Sequence, residues 1–283
     1  MFYDAHNHLH DASLAPHRGK IFADLVSASV KRAVVNGSCE TDWPEVAALA
    51  KQHPIVTPSF GLHPWDAGNR TPDWQKNLLA HLDSDPRATV GEIGLDRWIL
   101  DRARPDDARL AGLRRAPLAE QMEVFMWQLA LAAARDLPAS IHCLAAFGPL
   151  LDALRATPLP ARGFLLHAYS GPTEMVKDFA NLGAYFSFNG GYLAPRHARL
   201  RGLYAALPAD RLLVETDAPA MRLPAPLEKF SLPAGDDRSF LNHPGNLAAT
   251  YAALADLRGR TLDSLTRQVE ENFLRLFGNP GGR

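Results

Sequence analysis

The sequence begins with two histidines whose spacing suits a metal ion. They lie in Asp4-x-His6-x-His8, directly after an apolar start at positions 1–3. In an extended strand, side chains alternate between two faces, so Asp4, His6 and His8 project to the same side. Neutral imidazole is a common ligand of divalent metals. This spacing predicts that His6 and His8 bind one metal ion, with further ligands supplied from elsewhere in the chain.

Two carboxylates are placed where they can complete such a site. Glu92 lies between Gly91 and Gly94 at the end of a predicted fourth strand, and Asp217 lies just past a predicted eighth strand. Glycines beside a carboxylate let backbone segments approach closely. A carboxylate held in this way is suited to bridging two metal ions. We therefore expect Glu92 to bridge and Asp217 to bind one of the metals.

Two more histidines, His142 and His167, end the predicted fifth and sixth strands. The predicted ligand set is His6, His8, Glu92 and Asp217 for one metal, and Glu92, His142 and His167 for the other. Four neutral imidazoles and two carboxylates offset two divalent charges only in part, so the site would attract an anionic substrate and acidify a bound water. The mixed donors are compatible with zinc, magnesium or manganese.

Short strand-like segments alternate with helical patterns along the chain. The predicted strands are 2–5, 32–36, 55–61, 89–93, 139–142, 163–167, 184–188 and 211–215. The predicted helices lie near 20–31, 44–52, 73–84, 117–136, 147–156, 172–182, 197–207, 245–257 and 262–277. Eightfold alternation favours an α/β fold, a TIM-like (β/α)8 barrel with its active site at the C-terminal ends of the strands. An open doubly wound sheet is the alternative.

Composition limits the class of protein. The chain has 283 residues, 47% hydrophobic and 22% charged, which fits a single barrel domain over 1–283. Its net charge of −1 argues against strong non-specific binding of nucleic acid. Two cysteines are too few for a disulfide framework, and we find no signal peptide and no apolar run of bilayer length. We expect a cytoplasmic protein that makes no membrane contact; a monomer is compatible with the sequence.

Two long segments lack helical or strand periodicity. Residues 96–116 carry six arginines and four aspartates, and residues 218–241 are rich in proline. Both follow predicted strands, so in a barrel both overhang the catalytic face. Long loops in a compact domain are usually functional or disordered. A solvated insertion is the alternative for the first segment.

Taken together, these motifs resemble a known family, the TatD-type metal-dependent hydrolases of the amidohydrolase superfamily. The similar segments are Asp4-x-His6-x-His8, Gly61-Leu-His63-Pro, Gly91-Glu92-Ile-Gly-Leu-Asp96, Ile141-His142-Cys143, His167-Ala-Tyr-Ser-Gly171, Glu215-Thr-Asp217-Ala-Pro219 and the tail from Glu271 to Phe277. The resemblance implies a TIM-like barrel, a two-metal centre and phosphodiester hydrolysis, with members that trim single-stranded DNA ends. It also implies that Glu92 bridges the metals and that Asp217 takes a proton from the attacking water.

These motifs lead to a set of expected roles. Asp217 and Glu92 are the predicted catalytic residues, and Glu215 is expected to support a metal ligand without touching the metal. His63 and Arg97 are expected to contact a phosphoester substrate, although His63 could instead brace its loop. The predicted reaction is hydrolysis of a phosphoester, at the end of a nucleic-acid strand.

Several positions depart from the family pattern. Cys143 is followed by Leu144 where the family usually has an arginine nearby, and His243 stands where a glutamate is usual. The role of His243 stays open at this point. The departures favour one alternative, hydrolysis of a small ester, lactone or amide on the same metals. A metal-binding scaffold without catalysis is a third hypothesis.

Overall fold

Eight parallel strands form one sheet in which sequence order is also spatial order. The computed structural model describes residues 1–233 and 241–278. The strands are β1 Phe2–Asn7, β2 Val30–Gly37, β3 Val56–Phe60, β4 Thr89–Asp96, β5 Ala139–Leu144, β6 Phe164–Leu166, β7 Ala184–Asn189 and β8 Leu212–Glu215. Each of the eight overlaps a strand predicted from the sequence. Consecutive parallel pairing requires a crossover between each strand and the next.

The crossovers are mostly helical. The α-helices of the described residues are α1 Arg18–Ser27, α2 Trp43–Gln52, α3 Trp74–Ser84, α4 Trp98–Asp101, α5 Leu118–Arg135, α6 Phe147–Ala156, α7 Val176–Asn181, α8 Ala198–Ala206, α9 Leu247–Leu257 and α10 Leu262–Phe277. Apolar side chains of strands and helices form one continuous core. The predicted TIM-like (β/α)8 barrel is thereby confirmed.

Two helix predictions were wrong in their limits. The helix predicted near 20–31 ends at Ser27, because Ser29 adopts a left-handed backbone conformation with φ of 60° and β2 begins at Val30. The helix predicted near 172–182 divides into a 3₁₀ turn at Thr173–Met175 and the short α7. Helical periodicity in the sequence does not distinguish a 3₁₀ turn from an α-helix over so short a span.

The first and last strands meet at their carboxyl ends. The Asp217 amide donates to the His6 carbonyl oxygen at 3.0 Å, and the His8 amide donates to the Ala218 carbonyl oxygen at 2.8 Å. Below this point, the Thr216 amide and hydroxyl donate to the Asp4 carboxylate at 3.0 and 2.6 Å. Asp4 is thus used to lock β1 to the segment after β8, and the barrel closes at the edge that carries the predicted ligands.

Helix α5 fixes two strand ends through buried glutamines. The Gln121 amide exchanges hydrogen bonds with the backbone of Asp96, at 2.8 and 3.0 Å. Gln128 does the same with Leu62, at 2.7 and 3.1 Å. Both glutamines lie on the buried face of α5, where an unpaired amide would carry a large desolvation penalty. They hold the end of β4 and the segment after β3 in place beside the site.

Strand β4 is irregular next to Glu92, the predicted bridging ligand. Its register with β5 shifts between Val90 and Ile93, and such irregularities re-aim a side chain. Gly91 has φ of 154°, and a Cβ there would lie 2.8 Å from the Cβ of Ser140. Only glycine fits this close approach without displacement. The local backbone therefore turns Glu92 into the barrel mouth.

The two aperiodic segments follow β4 and β8, as predicted. The first contains α4 and a 3₁₀ turn at Ala108–Leu110. The second contains a 3₁₀ turn at Ala225–Leu227, and its residues 234–240 lie outside the described part of the chain. Among the described helices, none has both the length and the apolar character needed to cross a bilayer.

Candidate metal centre

The predicted ligands collect at one end of the barrel. His6 and Glu92 lie within strands, His142 lies within β5, and His167 follows β6 directly. Asp217 follows β8 by two residues. His6, His142, His167 and Asp217 lie near or just past the carboxyl ends of parallel strands, where barrel enzymes assemble their active sites, and Glu92 lies in the middle of β4. The fold thus brings together residues that are far apart in sequence.

The Glu92 carboxylate is at the centre of the cluster, and its two oxygens face different partners. Oε2 lies 3.5 Å from His6 Nε2 and 3.3 Å from His8 Nε2. Oε1 lies 2.8 Å from His167 Nε2 and 3.1 Å from His142 Nδ1. A carboxylate with one oxygen toward each of two nitrogen pairs has the arrangement of a bridging ligand. Glu92 is also almost completely buried.

Asp217 closes the first group of donors. Its Oδ1 lies 3.8 Å from His6 Nε2 and 3.6 Å from His8 Nε2. Its backbone has φ of 52°, a left-handed conformation that aspartate tolerates better than most residues. The Asp217 amide also donates a hydrogen bond to the His6 carbonyl oxygen. Together, the backbone conformation and this hydrogen bond turn the Asp217 carboxylate toward the two histidines.

The far ring nitrogens of the first histidine pair are held by other elements. His8 Nδ1 lies 2.8 Å from the Asn36 carbonyl oxygen, to which it donates. His6 Nδ1 lies 2.8 Å from Ser140 Oγ. Because a carbonyl oxygen only accepts, the neutral His8 ring carries its proton on Nδ1 and the lone pair on Nε2, whereas the Ser140 hydroxyl can either donate to or accept from His6 Nδ1. Both rings are oriented with Nε2 toward Glu92 and Asp217.

Asp96 holds the His142 ring, a role that reasoning from the sequence missed. Its Oδ2 lies 3.2 Å from His142 Nε2 and accepts a 2.6 Å hydrogen bond from Trp65 Nε1. His142 Nδ1 is left facing Glu92. The signal was present, because Glu92 and Asp96 are four residues apart on one strand and so share a face.

Glu215 lies where a supporting residue was expected. Its Oε1 is 3.7 Å from His167 Nδ1, on the side of that ring away from Glu92. Ser187 Oγ donates to Glu215 Oε2, and Asn189 Nδ2 donates to Oε1 at 3.2 Å. This fully buried carboxylate is itself fixed by neighbouring strand β7. At 3.7 Å the Glu215 oxygen is too far from His167 Nδ1 for a hydrogen bond, and the supporting role of Glu215 stays a prediction.

The predicted substrate residues have different positions. His63 lies inside the cluster, with Nε2 at 3.5 Å from Glu92 Oε1. Arg97 is half exposed and pairs with Asp101 at 2.8 Å. Among the described residues that line the cavity, the arginine from this insertion is Arg109 and not Arg97. The aperiodic sequence gave no means of choosing between the arginines.

His243, whose role the sequence left open, lies in a structural contact. Its Nε2 is 3.1 Å from Asp24 Oδ2, and its Nδ1 accepts from the Gly245 amide at 2.9 Å. The ring is fully buried and stacks near Phe230 at a centroid distance of 5.1 Å. It joins the start of α9 to α1.

Mutual contacts set the ionisation of the cluster. Burial by itself raises the pKa of Glu92, but His167 and His63 hold that pKa well below its usual range. Burial likewise lowers the pKa of His8, yet its hydrogen bonds to Asp217 and Glu92 raise it well above its ordinary value. Both carboxylates are thus anionic, the form in which a carboxylate binds a metal. Protons and metal ions compete for the same imidazoles.

The donor set fits divalent metal ions. Three groups of ligand atoms, each within 4.8 Å of one another, are His6 with Glu92 and His167, His6 with His8 and Asp217, and His63 with Glu92 and His142. Imidazole nitrogens and carboxylate oxygens in this mixture suit zinc, manganese or magnesium. The cluster opens into a cavity of about 850 Å³, lined among others by His63, Trp65 and Arg109. This volume is in the range of small-molecule and cofactor sites.

Known proteins resemble the chain over its whole length. A family model described as TatD related DNase matches residues 3–278. The uncharacterized metal-dependent hydrolase YabD of Bacillus subtilis (strain 168) is 26% identical over 281 residues, 98% of this chain and 99% of that protein. The 3'-5' ssDNA/RNA exonuclease TatD of Enterobacter lignolyticus (strain SCF1) is 27% identical over 266 residues, 91% of this chain and 92% of that protein.

A solved structure agrees with the sequence comparisons. The crystal structure of YjjV, a TatD homologue from Escherichia coli K12, matches with a TM-score of 0.82 and 27% identity. The match covers 99% of this chain and 98% of that chain. Fold and sequence therefore indicate one and the same family.

Proposed function

Because this chain belongs to the TatD-related DNase family and is a metal-dependent hydrolase, we propose that it cleaves phosphodiester bonds at the ends of single-stranded nucleic acid. The observation that carries this proposal is the division of the Glu92 oxygens between two sets of histidine nitrogens. A relative named as a 3'-5' ssDNA/RNA exonuclease supports the substrate class. A cytoplasmic location belongs to the same proposal.

Two cations are proposed, and the residues divide between them. His6, His8 and Asp217 would hold the first through their facing atoms, together with Oε2 of Glu92. Oε1 of Glu92 would hold the second with His142 and His167. When bound, such cations supply Lewis-acid polarisation of a phosphoryl oxygen and lower the pKa of water.

The protein's own groups supply the proton transfer and the orientation. Asp217 is the proposed proton acceptor from the attacking water, because its pKa is lowered in spite of burial and the group is therefore ionised. Asp96 and Glu215 are proposed to keep the His142 and His167 rings in one orientation. His63 reaches the cluster from the cavity side and is proposed to contact the phosphate. Ring orientation fixed before substrate arrives reduces the reorganisation required during reaction.

The experiment is an end-label cleavage assay. Protein stripped of metal is supplied with Mg²⁺, Mn²⁺ or Zn²⁺ and incubated with a single-stranded oligonucleotide labelled at its 5' end or its 3' end. We expect a ladder from the 5'-labelled strand and early release of the label from the 3'-labelled strand. Asp217→Asn, which keeps the size of the side chain, should abolish both. Intact oligonucleotides and intact bis(4-nitrophenyl) phosphate with all three metals would refute the proposal.

A second substrate class is favoured by one feature of the cavity. Four carboxylates outside the proposed ligand set line it, namely those of Asp11, Asp42, Glu45 and Asp66, against two arginines, Arg18 and Arg109. Acidic walls suit an uncharged ester, lactone or amide better than a polyanion. A panel of lactones and aryl esters tested beside the oligonucleotides separates the two. The scaffold without catalysis is set aside, because the family is one of hydrolases.

A further inference from the structure

Two side chains that line the cavity, Trp65 and Arg109, form an aromatic and cationic group with a third, Trp98, packed against them. The indole rings of Trp65 and Trp98 are nearly parallel, at 21°, with centroids 6.3 Å apart. The Arg109 guanidinium carbon lies 5.8 Å from the Trp65 centroid and 5.0 Å from the Trp98 centroid. Trp65 follows β3, whereas Trp98 and Arg109 come from the insertion after β4. We call these three side chains the rim platform.

The rim platform is held by hydrogen bonds and lies beside the metal cluster. Trp65 Nε1 donates to Asp96 Oδ2, and the same oxygen lies 3.2 Å from His142 Nε2. The Arg109 guanidinium forms two hydrogen bonds with the Asp107 carboxylate, at 3.0 and 2.6 Å. The Asp96 carboxylate therefore links Trp65 of the platform to the His142 ring of the cluster.

Two of the three members of the platform are accessible from the cavity. Trp65 and Arg109 both line the cavity that contains the metal cluster, and the Arg109 side chain is 61% exposed. A pair of indoles and a guanidinium plane are surfaces on which nucleobases stack, and the stacking tolerates any base because each has a π-face. Trp65 and the His142 ring contact the same Asp96 oxygen, so a base on this platform would lie next to the cluster that is proposed to hold its phosphate.

We propose that the rim platform of Trp65, Trp98 and Arg109 stacks the base of the terminal nucleotide and so selects unpaired strand ends. This inference rests on the proposed nuclease function. The terminal base of a duplex is held in place by its pairing partner and must be unpaired before it can move, whereas the base of an unpaired end is free to turn onto the platform. Stacking does not depend on the hydrogen-bonding groups at the edge of a base. The platform should therefore bind a terminal nucleotide with any of the bases more tightly than an abasic one.

The test compares a base with its absence at the same phosphate. Two single-stranded oligonucleotides are prepared, one ending in a normal nucleotide and one in an abasic tetrahydrofuran residue. Loss of one base–aromatic stack weakens binding by about tenfold, so we expect the KM of the abasic substrate to be higher by that factor. Trp98→Ala should reduce this preference, and Trp98→Phe, which keeps an aromatic ring, should retain most of it.

The control is a charge-matched arginine of the same insertion. Arg104→Ala removes one positive charge, as Arg109→Ala does, but Arg104 is highly exposed and pairs with Asp106. We expect Arg109→Ala to reduce the preference for the base and Arg104→Ala to leave it intact. A substitution of Trp65 would remove its hydrogen bond to Asp96 and so would also disturb His142.

A binding measurement keeps this inference separate from the nuclease proposal. Isothermal titration of the metal-loaded protein with deoxyadenosine monophosphate and with 2-deoxyribose 5-phosphate reports base stacking without cleavage. Weaker binding of the nucleotide to Trp98→Ala, with binding of the sugar phosphate unchanged, supports the platform even if no strand is cut. The stacking proposal would be refuted if the normal and the abasic oligonucleotide were cleaved with the same KM and the two small ligands bound with the same affinity. The nuclease proposal would not be affected by that result.

Discussion

The two ends of the barrel treat buried polar side chains differently. At the carboxyl end, donor atoms of His6, His8 and Glu92 face one another at 3.3 to 3.5 Å. At the amino end, Tyr3 Oη donates to Glu270 at 2.6 Å, and Arg32 donates to Thr57 Oγ1 at 2.8 Å. The amino-end groups are satisfied by direct hydrogen bonds, whereas the carboxyl-end groups form a cage of ligand atoms.

The contrast teaches how one fold separates function from stability. In barrels of this type, residues at the carboxyl ends of strands serve chemistry, and those at the amino ends serve the fold. In this chain, α9 and α10 supply amino-end partners through Tyr251, Glu270 and Phe273. A substitution at one end should therefore change activity and metal content, and a substitution at the other should change the free energy of unfolding.

The largest effect is expected from Glu92→Gln, which keeps the shape of the side chain but removes the charge shared by the two proposed sites. Loss of a bridging ligand should lower metal content and reduce phosphodiester cleavage roughly a thousandfold, because the metals contribute several kcal/mol to transition-state stabilisation. Metal analysis and the rate of oligonucleotide cleavage measure these changes.

The matched control for that variant is Glu120→Gln. Glu120 pairs with Arg70 and Arg114 outside the cluster, so the same change of charge should leave metal content and activity unchanged. Unaltered metal content in Glu92→Gln would contradict the assignment of a bridging role.

An intermediate effect is expected at the amino end from Tyr251→Phe. The Tyr251 hydroxyl donates to the Tyr3 carbonyl oxygen at 2.9 Å and accepts from the Tyr3 amide at 3.2 Å. Its removal leaves two buried backbone groups without that partner, which should lower the free energy of unfolding by about 1–3 kcal/mol. Urea unfolding measures the loss, and cleavage per folded molecule should not change. Lost activity with intact stability would reverse the roles of the two ends.

The smallest expected effect is a decrease in the free energy of unfolding at alkaline pH, caused by the titration of Tyr3. Burial, together with the hydrogen bond to Glu270, raises the pKa of Tyr3 to about 12 from 10.0. The folded protein therefore holds this proton to higher pH than the unfolded chain, and the stabilising contribution is lost as pH rises from 10 to 12. Urea unfolding at pH 9 and pH 11 should show a steeper loss of stability for the natural chain than for Tyr3→Phe. Parallel losses would show that Tyr3 titrates as in the unfolded chain.

Many of the residues at the carboxyl end of the barrel were predictable from two regular patterns in the sequence. Alternation along a strand places His6 with His8, and strand–helix alternation implies that all strand ends open on one face. The eight strands and the convergence of Glu92 with His142, His167 and Asp217 follow from these two regularities.

The glutamines that hold the strand ends beside the site were not predictable by the same means, in contrast to Glu215. Gln121 and Gln128 occupy polar positions within an otherwise apolar helix face, and their partners are backbone atoms that no side-chain pattern reveals. The insertion 96–116 has no period, so nothing in the sequence distinguished Arg109 from Arg97. Its selection depends on tertiary contacts with Trp65 and Trp98.

The central claim is that Glu92 bridges two cations at the carboxyl end of the barrel. The most direct measurement is anomalous X-ray scattering from crystals soaked in Mn²⁺ or Zn²⁺. Our account predicts two peaks, one beside each Glu92 oxygen, at about 2.0–2.3 Å from the nearest ligand atoms. One of them should contact His6, His8 and Asp217, and the other His142 and His167. A single peak, or peaks that do not touch Glu92, would contradict the account.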